Sequence, residues 1–226
     1  MHNNHKIAKM KHKIIRLLTC TVFCLGIFAS CSKKGIVDND KQVGISRITY
    51  YATFAMAGDP YMSIVKGQTF TDPGVTATQN GTALTVTTSG TVDNTTVGIY
   101  VITYSATNSD GYPASTTRTV AVLPAAETAG VDISGKYYYV ATPTTISNVT
   151  KLAPGFYAAD NCYSGSTTIP IQFICVDGAN ITIPDQPTAY GDIMGTGTLS
   201  ATGALQYIIS IPSQGITNRA RNWQLQ

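Results

Sequence analysis

One glutamate, Glu127, stands against thirty-three threonines in this chain of 226 residues. That imbalance works against the α-helix: glutamate is among the good helix formers, whereas the β-branched threonine suits a pleated strand. Thirteen tyrosines push the same way. Only 12% of the residues are charged, against about 25% in an average soluble domain. The 43% hydrophobic share is too high for a disordered chain, and Gly, Pro and Thr interrupt it too often for a multi-span helical membrane protein. The composition predicts an all-β protein.

The net charge of +3 belongs to the start of the chain. Five of the fifteen bases, Lys6, Lys9, Lys11, Lys13 and Arg16, lie in the first thirty residues, which hold no acid. The remaining ten bases face twelve acids, a net of −2, so no basic patch is left for a nucleic-acid backbone. The basic stretch precedes an apolar run over 17–29, too short for the ~20 residues of a spanning helix but suited to a signal peptide. The run ends in Phe28-Ala29-Ser30-Cys31, which resembles a bacterial lipobox with Phe28 in the place usual for Leu. The resemblance implies that 1–30 is removed and that Cys31 is lipidated, anchoring the protein to a membrane. An ordinary cleaved signal with a free Cys31 is the alternative, and Cys20 and Cys24 are weaker lipobox candidates. Residues 31–44 are polar and without periodicity, as a flexible tether would be. The expected location is the outer membrane, lipid-anchored and displayed at the cell surface. Surface export often uses an acidic run after the Cys, whereas Lys33 and Lys34 stand here and Asp38 and Asp40 come late.

Two β domains are expected, 45–123 and 131–226, with a linker at 124–130 where alternation stops and small residues cluster. In the first, residues 98–107 alternate clearly and place Tyr100, Ile102 and Tyr104 on one face. Short strands between Gly, Pro and Asn turns argue for a sandwich, and Tyr100 has the placement of a tyrosine corner. The run Val65-Lys66-Gly67-Gln68-Thr69-Phe70-Thr71-Asp72-Pro73-Gly74-Val75-Thr76-Ala77, then Gly90-Thr91-Val92-Asp93, then Val97-Gly98-Ile99-Tyr100-Val101-Ile102-Thr103-Tyr104, resembles the bacterial Ig-like domain named after a pesticidal crystal protein. The resemblance implies an Ig-like β-sandwich that serves as a spacer or adhesion module. Asn108 and Gly111-Tyr112 replace the family's usual Asp and Gly-Asn in the last turn, so no calcium site is carried over.

In 131–226, strand-like runs at 135–141, 169–176, 179–183, 197–202 and 205–211 predict an antiparallel sandwich or small barrel. The stretch Val149-Thr150-Lys151-Leu152-Ala153-Pro154-Gly155-Phe156-Tyr157-Ala158-Ala159-Asp160 resembles the C-terminal domain of a two-domain family of Bacteroides lipoproteins, where it follows the same kind of Ig-like domain. Genes for that family often neighbour glycan-uptake systems. Asn161-Cys162-Tyr163-Ser164-Gly165 departs from the family's Gly-Gly-aromatic segment. Cys162 and Cys175 either form a disulfide, which would contribute about 3 kcal/mol, or stay as buried thiols.

Catalysis is limited by missing parts. His2, His5 and His12 all lie in the expected signal peptide, which leaves no imidazole for a Ser-His-Asp or Cys-His arrangement or a histidine-based zinc site. With one Glu, a glycosidase would need two of Asp132, Asp160, Asp177, Asp185 and Asp192, and each sits in turn-like context. Gly130-Val131-Asp132-Ile133-Ser134-Gly135-Lys136-Tyr137 matches a P-loop up to Tyr137, which cannot replace the magnesium-binding hydroxyl, and a β-prone run follows it. A non-catalytic protein without metal, cofactor or nucleotide is expected.

Sugar recognition uses aromatic faces with polar groups around them. Tyr137, Tyr138, Tyr139, Tyr157, Tyr163, Tyr190 and Trp223 are the candidate rings, with Asp160, Asn161 and Asp192 as polar neighbours. The leading expectation is a surface glycan-binding accessory protein, whose partners are a polysaccharide and an outer-membrane uptake complex. A structural or adhesive protein that binds other proteins or matrix is the alternative.

Overall fold

Alternation becomes strands throughout. The computed structural model describes residues 48–226, together with the backbone of two short strands, β1 (Gln42–Val43) and β2 (Ser46–Arg47), which pair antiparallel. The expected signal peptide, Cys31 and most of the tether lie outside the described residues. Tyr50–Gln226 forms one compact unit. Among the described residues there is no α-helix.

The N-terminal part of that unit is a two-sheet sandwich. One sheet has the order β3 (Thr53–Met56), β5 (Val75–Gln79), β6 (Thr82–Leu84). The other has the order β4 (Tyr61–Val65), β9 (Pro113–Leu123), β8 (Gly98–Thr107), β7 (Thr87–Ser89), with β4 running parallel to β9. Ile102, Tyr104 and Val120 form the core, with Met56 and Val75 closing it from the first sheet. The Tyr100 hydroxyl donates to the Thr96 carbonyl at 2.9 Å, the tyrosine corner expected from its position.

The Thr71-Asp72-Pro73-Gly74 motif has a structural reason. Arg118 is fully buried and its guanidinium pairs with the Asp72 carboxylate, while the Tyr104 hydroxyl donates to the same carboxylate at 2.8 Å. Asp72 also accepts from the Gly74 N–H at 3.0 Å, holding a turn in which Gly74 has φ +87. Burial and the donated bond push the Tyr104 hydroxyl up to about 12, so it stays protonated and remains a donor.

The C-terminal part is a closed barrel of eight antiparallel strands. They are β10 (Gly135–Tyr139), β11 (Thr142–Ala153), β12 (Phe156–Ala159), β13 (Ile171–Ile174), β14 (Asn180–Thr188), β15 (Gly191–Leu199), β16 (Ala204–Ile211) and β17 (Ile216–Leu225). Each pairs with the next, and β17 closes on β10 through Tyr139 opposite Trp223. In β16 the inward set is Leu205, Tyr207, Ile209 and Ile211, every second residue, as the pleat requires. The barrel is packed through its middle with Ile, Phe, Tyr and Trp side chains.

The sandwich and the barrel share a hydrophobic seam. Phe156 and Ile174, cross-strand partners on the outside of the barrel, are covered by Ala121 and Leu123 at the end of β9. Tyr61 adds an edge contact on Phe156, with centroids 6.1 Å apart. The expected linker supplies a clasp beside this seam. Glu127 accepts from Lys151 Nζ at 2.9 Å, from the Gly155 N–H at 2.8 Å and from the Tyr157 hydroxyl at 3.1 Å. Burial alone would raise the Glu127 carboxyl, but these donors outweigh it and hold the group below its ordinary 4.5.

Two outcomes follow for stability. Asp72→Ala leaves Arg118 buried and unpaired, so it should cost about 3–5 kcal/mol in urea unfolding; Tyr104→Phe, losing one bond to a charged group, should cost about 1.5–3 kcal/mol. Because the folded Glu127 carboxyl is depressed, its contribution is complete above the unfolded value of 4.5 and is lost as pH falls through the lower folded value. The unfolding difference between wild type and Glu127→Gln, on the order of 2 kcal/mol at pH 7, should shrink steadily in denaturation curves taken toward pH 3.

Candidate functional site

Strand alternation inside a closed barrel decides the fate of the candidate rings. Tyr137, Tyr157 and Trp223 point inward and are at most 1% exposed, so they are core and offer no face to a sugar; this corrects their reading as ligand contacts. Tyr157 stacks on Phe173 at 5.7 Å, and the Tyr137 hydroxyl donates to the Ile133 carbonyl. Tyr139 is half-buried against Trp223, with ring centroids 5.0 Å apart. Tyr138 points to the other side and is half-buried. Tyr163 is half-buried over the Arg221 guanidinium. Tyr190 is exposed in the turn between β14 and β15, where its carbonyl accepts from Ser213 and Gln214. Five of the seven rings, Tyr137, Tyr139, Tyr157, Tyr163 and Trp223, belong to or pack against the barrel core, while Tyr138 and Tyr190 lie outside it.

Cys162 and Cys175 are free thiols, both buried, so the disulfide alternative is replaced by the thiol one. Burial pushes Cys162 up to about 12 despite the nearby Arg221 charge, and burial also raises Cys175. Asp132 and Asp177 spend their oxygens on turn backbone: Asp132 accepts from the Ser134 N–H, and Asp177 from the Ala179 and Asn180 N–H groups. Hydrogen bonds to these neighbours hold both carboxyls below their ordinary range. The segment with P-loop spacing runs straight into strand β10, so no helix N-terminus faces a phosphate there.

A groove of 560 Å³ lies between the sandwich and the barrel. Its sandwich wall is the outer face of β8 and β9, with Ile99, Val101, Thr117 and Thr119. The barrel wall carries Asn148, Asp160, Gln172, Asp185 and Gln186. Several of these groups are fixed in place. Asp160 accepts from the Asn148 N–H at 2.8 Å and from Asn148 Nδ2 at 2.6 Å, while Gln186 bonds both the N–H and the carbonyl of Gln172. The groove is concave and mostly apolar, with carboxylate, amide and hydroxyl groups set into it, and it sits at a domain boundary, a frequent place for ligands. Of the sequence candidates it contains Asp160 and Asp185 but none of the rings.

A second surface was missed from sequence. Tyr51 and Tyr112 are 60% and 50% exposed, with ring centroids 5.8 Å apart at one pole of the sandwich. Buried Asn108 sets this pair: its Oδ1 accepts from the Asp110 and Tyr112 N–H groups, and its Nδ2 donates to the Tyr50 carbonyl. The Asn108-Ser109-Asp110-Gly111 turn is legible in the sequence, but its long-range bond to Tyr50 is not.

Comparisons with known proteins agree with the sandwich. Residues 54–122 match the family described as bacterial surface protein, Ig-like domain. Among solved structures, the chain is similar to the lipoprotein BT2262 from Bacteroides thetaiotaomicron at 22% identity, covering 76% of this chain and 98% of that one, with a TM-score of 0.37. It is also similar, at 10% identity and a TM-score of 0.29, to the M60 catalytic domain with the CBM51-1 and CBM51-2 domains from Clostridium perfringens ZmpB, covering 77% of this chain and 23% of that one. No curated protein matches the chain at a significant level.

The buried thiols give a direct check on the barrel. In the 45–226 fragment, a thiol reagent such as Ellman's should find almost no reactive cysteine in the native protein and two after unfolding without reductant. A count of zero after unfolding would mean that Cys162 and Cys175 are joined.

Proposed function

We propose that this protein is a non-catalytic lipoprotein of the bacterial cell envelope that binds glycan in the groove between its Ig-like domain and its barrel, as an accessory of polysaccharide uptake at the outer membrane. The observation that carries the reading is the groove's set of fixed Asn148, Asp160 and Gln186 side chains, which share its lining with Thr117 and Thr119. Sugar hydroxyls both donate and accept, and amide and carboxylate groups held in place meet them at low entropic cost. Ile99 and Val101 supply apolar surface for the C–H faces of a sugar ring. The lipobox resemblance at Cys31 supports the anchor, and the surface Ig-like domain supports display outside the cell.

The exposed Tyr51–Tyr112 pair favours a second reading, adhesion to another protein or to matrix through the pole of the Ig-like domain. A polysaccharide panel run against the 45–226 fragment by affinity electrophoresis and calorimetry separates the two. Under the groove reading, one glycan is retarded, and Asp160→Ala with Asp185→Ala weakens it at least tenfold while Tyr51→Ala with Tyr112→Ala leaves it unchanged. The opposite pattern, or no retardation of a folded fragment by any glycan, would move the function to the tyrosine pair.

A further inference from the structure

Toward one end of the barrel lies a cation without a counterion among the described residues. Arg221, on β17, is only 8% exposed, and its side chain makes no hydrogen bond or ion pair among the described residues. Its one partner is the ring of Tyr163, 3.8 Å from the guanidinium carbon to the centroid. Of its three nitrogens only Nε is buried without a partner, so the terminal nitrogens reach the solvent edge of the site, where an anion can meet them.

The surroundings are equally one-sided. Tyr207 is the cross-strand partner of Arg221, and Trp223 follows it by two residues on the same inward face. The Tyr207 hydroxyl, Trp223 Nε1, Arg221 Nε and Ser147 Oγ on β11 are all buried without a hydrogen-bond partner. The indole and guanidinium nitrogens can only donate, whereas the two hydroxyls can donate or accept. The nearest acid in sequence to this end, Asp160, is bonded to Asn148 and makes no ion pair with Arg221, although its charge acts on Tyr207.

Tyr163 is held over Arg221 by a built turn. The Tyr163 N–H and the Ile169 N–H donate to Asn161 Oδ1, and Asn161 Nδ2 donates to the Ser164 carbonyl. This is the Asn161-Cys162-Tyr163-Ser164-Gly165 segment, so its composition serves the barrel end.

We infer that the barrel end formed by Arg221 and Tyr163 is a binding site for a carboxylate, with the guanidinium as its charge and the tyrosine ring as a cover beside it. A carboxylate accepts without donating and matches the planar donor fork of an arginine. The shared chemistry has two sources, a uronic acid unit of a glycan and a small free carboxylate. The inference goes beyond the groove and does not depend on it, because no groove residue named above touches the guanidinium.

Calorimetry on the 45–226 fragment with D-galacturonate, D-galactose and acetate as probes tests it. Saturable binding of galacturonate, at least tenfold tighter than galactose and weakened by salt, is the expected result. Arg221→Gln should abolish it, and Tyr163→Ala, which leaves the charge in place, should change the affinity by a few-fold or more. Acetate binding as tightly as galacturonate supports the site and assigns it to free carboxylates, whereas a clear preference for galacturonate assigns it to sugar acids. No saturable binding of either acid, or binding unchanged in Arg221→Gln, overturns the inference. Should Arg221→Gln fail to fold, wild type and Tyr163→Ala decide alone: equal affinity, or no binding by either, overturns it. Asp185→Ala serves as the control, since its loss would affect the groove and leave galacturonate binding intact.

Discussion

The barrel of this protein wears part of its hydrophobic surface on the outside, and covering that surface organises the rest. Phe156 and Ile174 project outward from β12 and β13, while their neighbours Tyr157 and Phe173 project inward, so this part of the wall is apolar on both faces. Water would meet a contiguous apolar patch there if the end of β9 did not lie across it. Leu123 approaches closely because Gly155 has no side chain: a Cβ would stand 3.0 Å from a Leu123 methyl, at a residue whose φ is already +66. Glu127 then ties the connecting segment to Lys151, Gly155 and Tyr157 beside the seam. A seven-residue stretch that reads as a linker in the sequence therefore contains a clasp.

This seam is what turns two surfaces into one groove. The outer face of β8 and β9 and the outer face of the barrel line it together, so Thr117 and Thr119 share one groove with Asn148 and Asp160, which are already bonded to each other. Preorganisation of that kind lowers the entropic cost of binding, and it needs both domains on the same rigid frame. The Ig-like domain thus contributes a wall of the candidate site in addition to any spacing role.

Inside the barrel the same logic runs in reverse. Large rings fill the middle, which leaves no room for a ligand cavity lined by Tyr157, Phe173 and Trp223. Polar atoms persist toward Arg221 and Tyr207, where packing does not satisfy them. Functional capacity is therefore displaced from the rings to the edges of the barrel, at its outer wall and at its end. The sandwich shows the contrasting solution, since its buried cation Arg118 has a carboxylate, Asp72, supplied by the turn that opens β5.

Period-two alternation, turn residues and the scarcity of helix formers settled the all-β class and the tyrosine corner at Tyr100. Each depends on interactions within a few residues, which a sequence displays directly. Alternation also says correctly that Tyr137 and Tyr139 share a face, apart from the bulge that follows Tyr138. It cannot say whether that face turns toward water, because the answer depends on β17 returning to β10 some eighty residues later and closing the sheet. The pairing of Arg118 with Asp72, the reach of Asn108 to Tyr50 and the isolation of Arg221 have the same origin. They are set by contacts between distant segments, and only the closed tertiary structure decides which charges find partners and which rings find solvent.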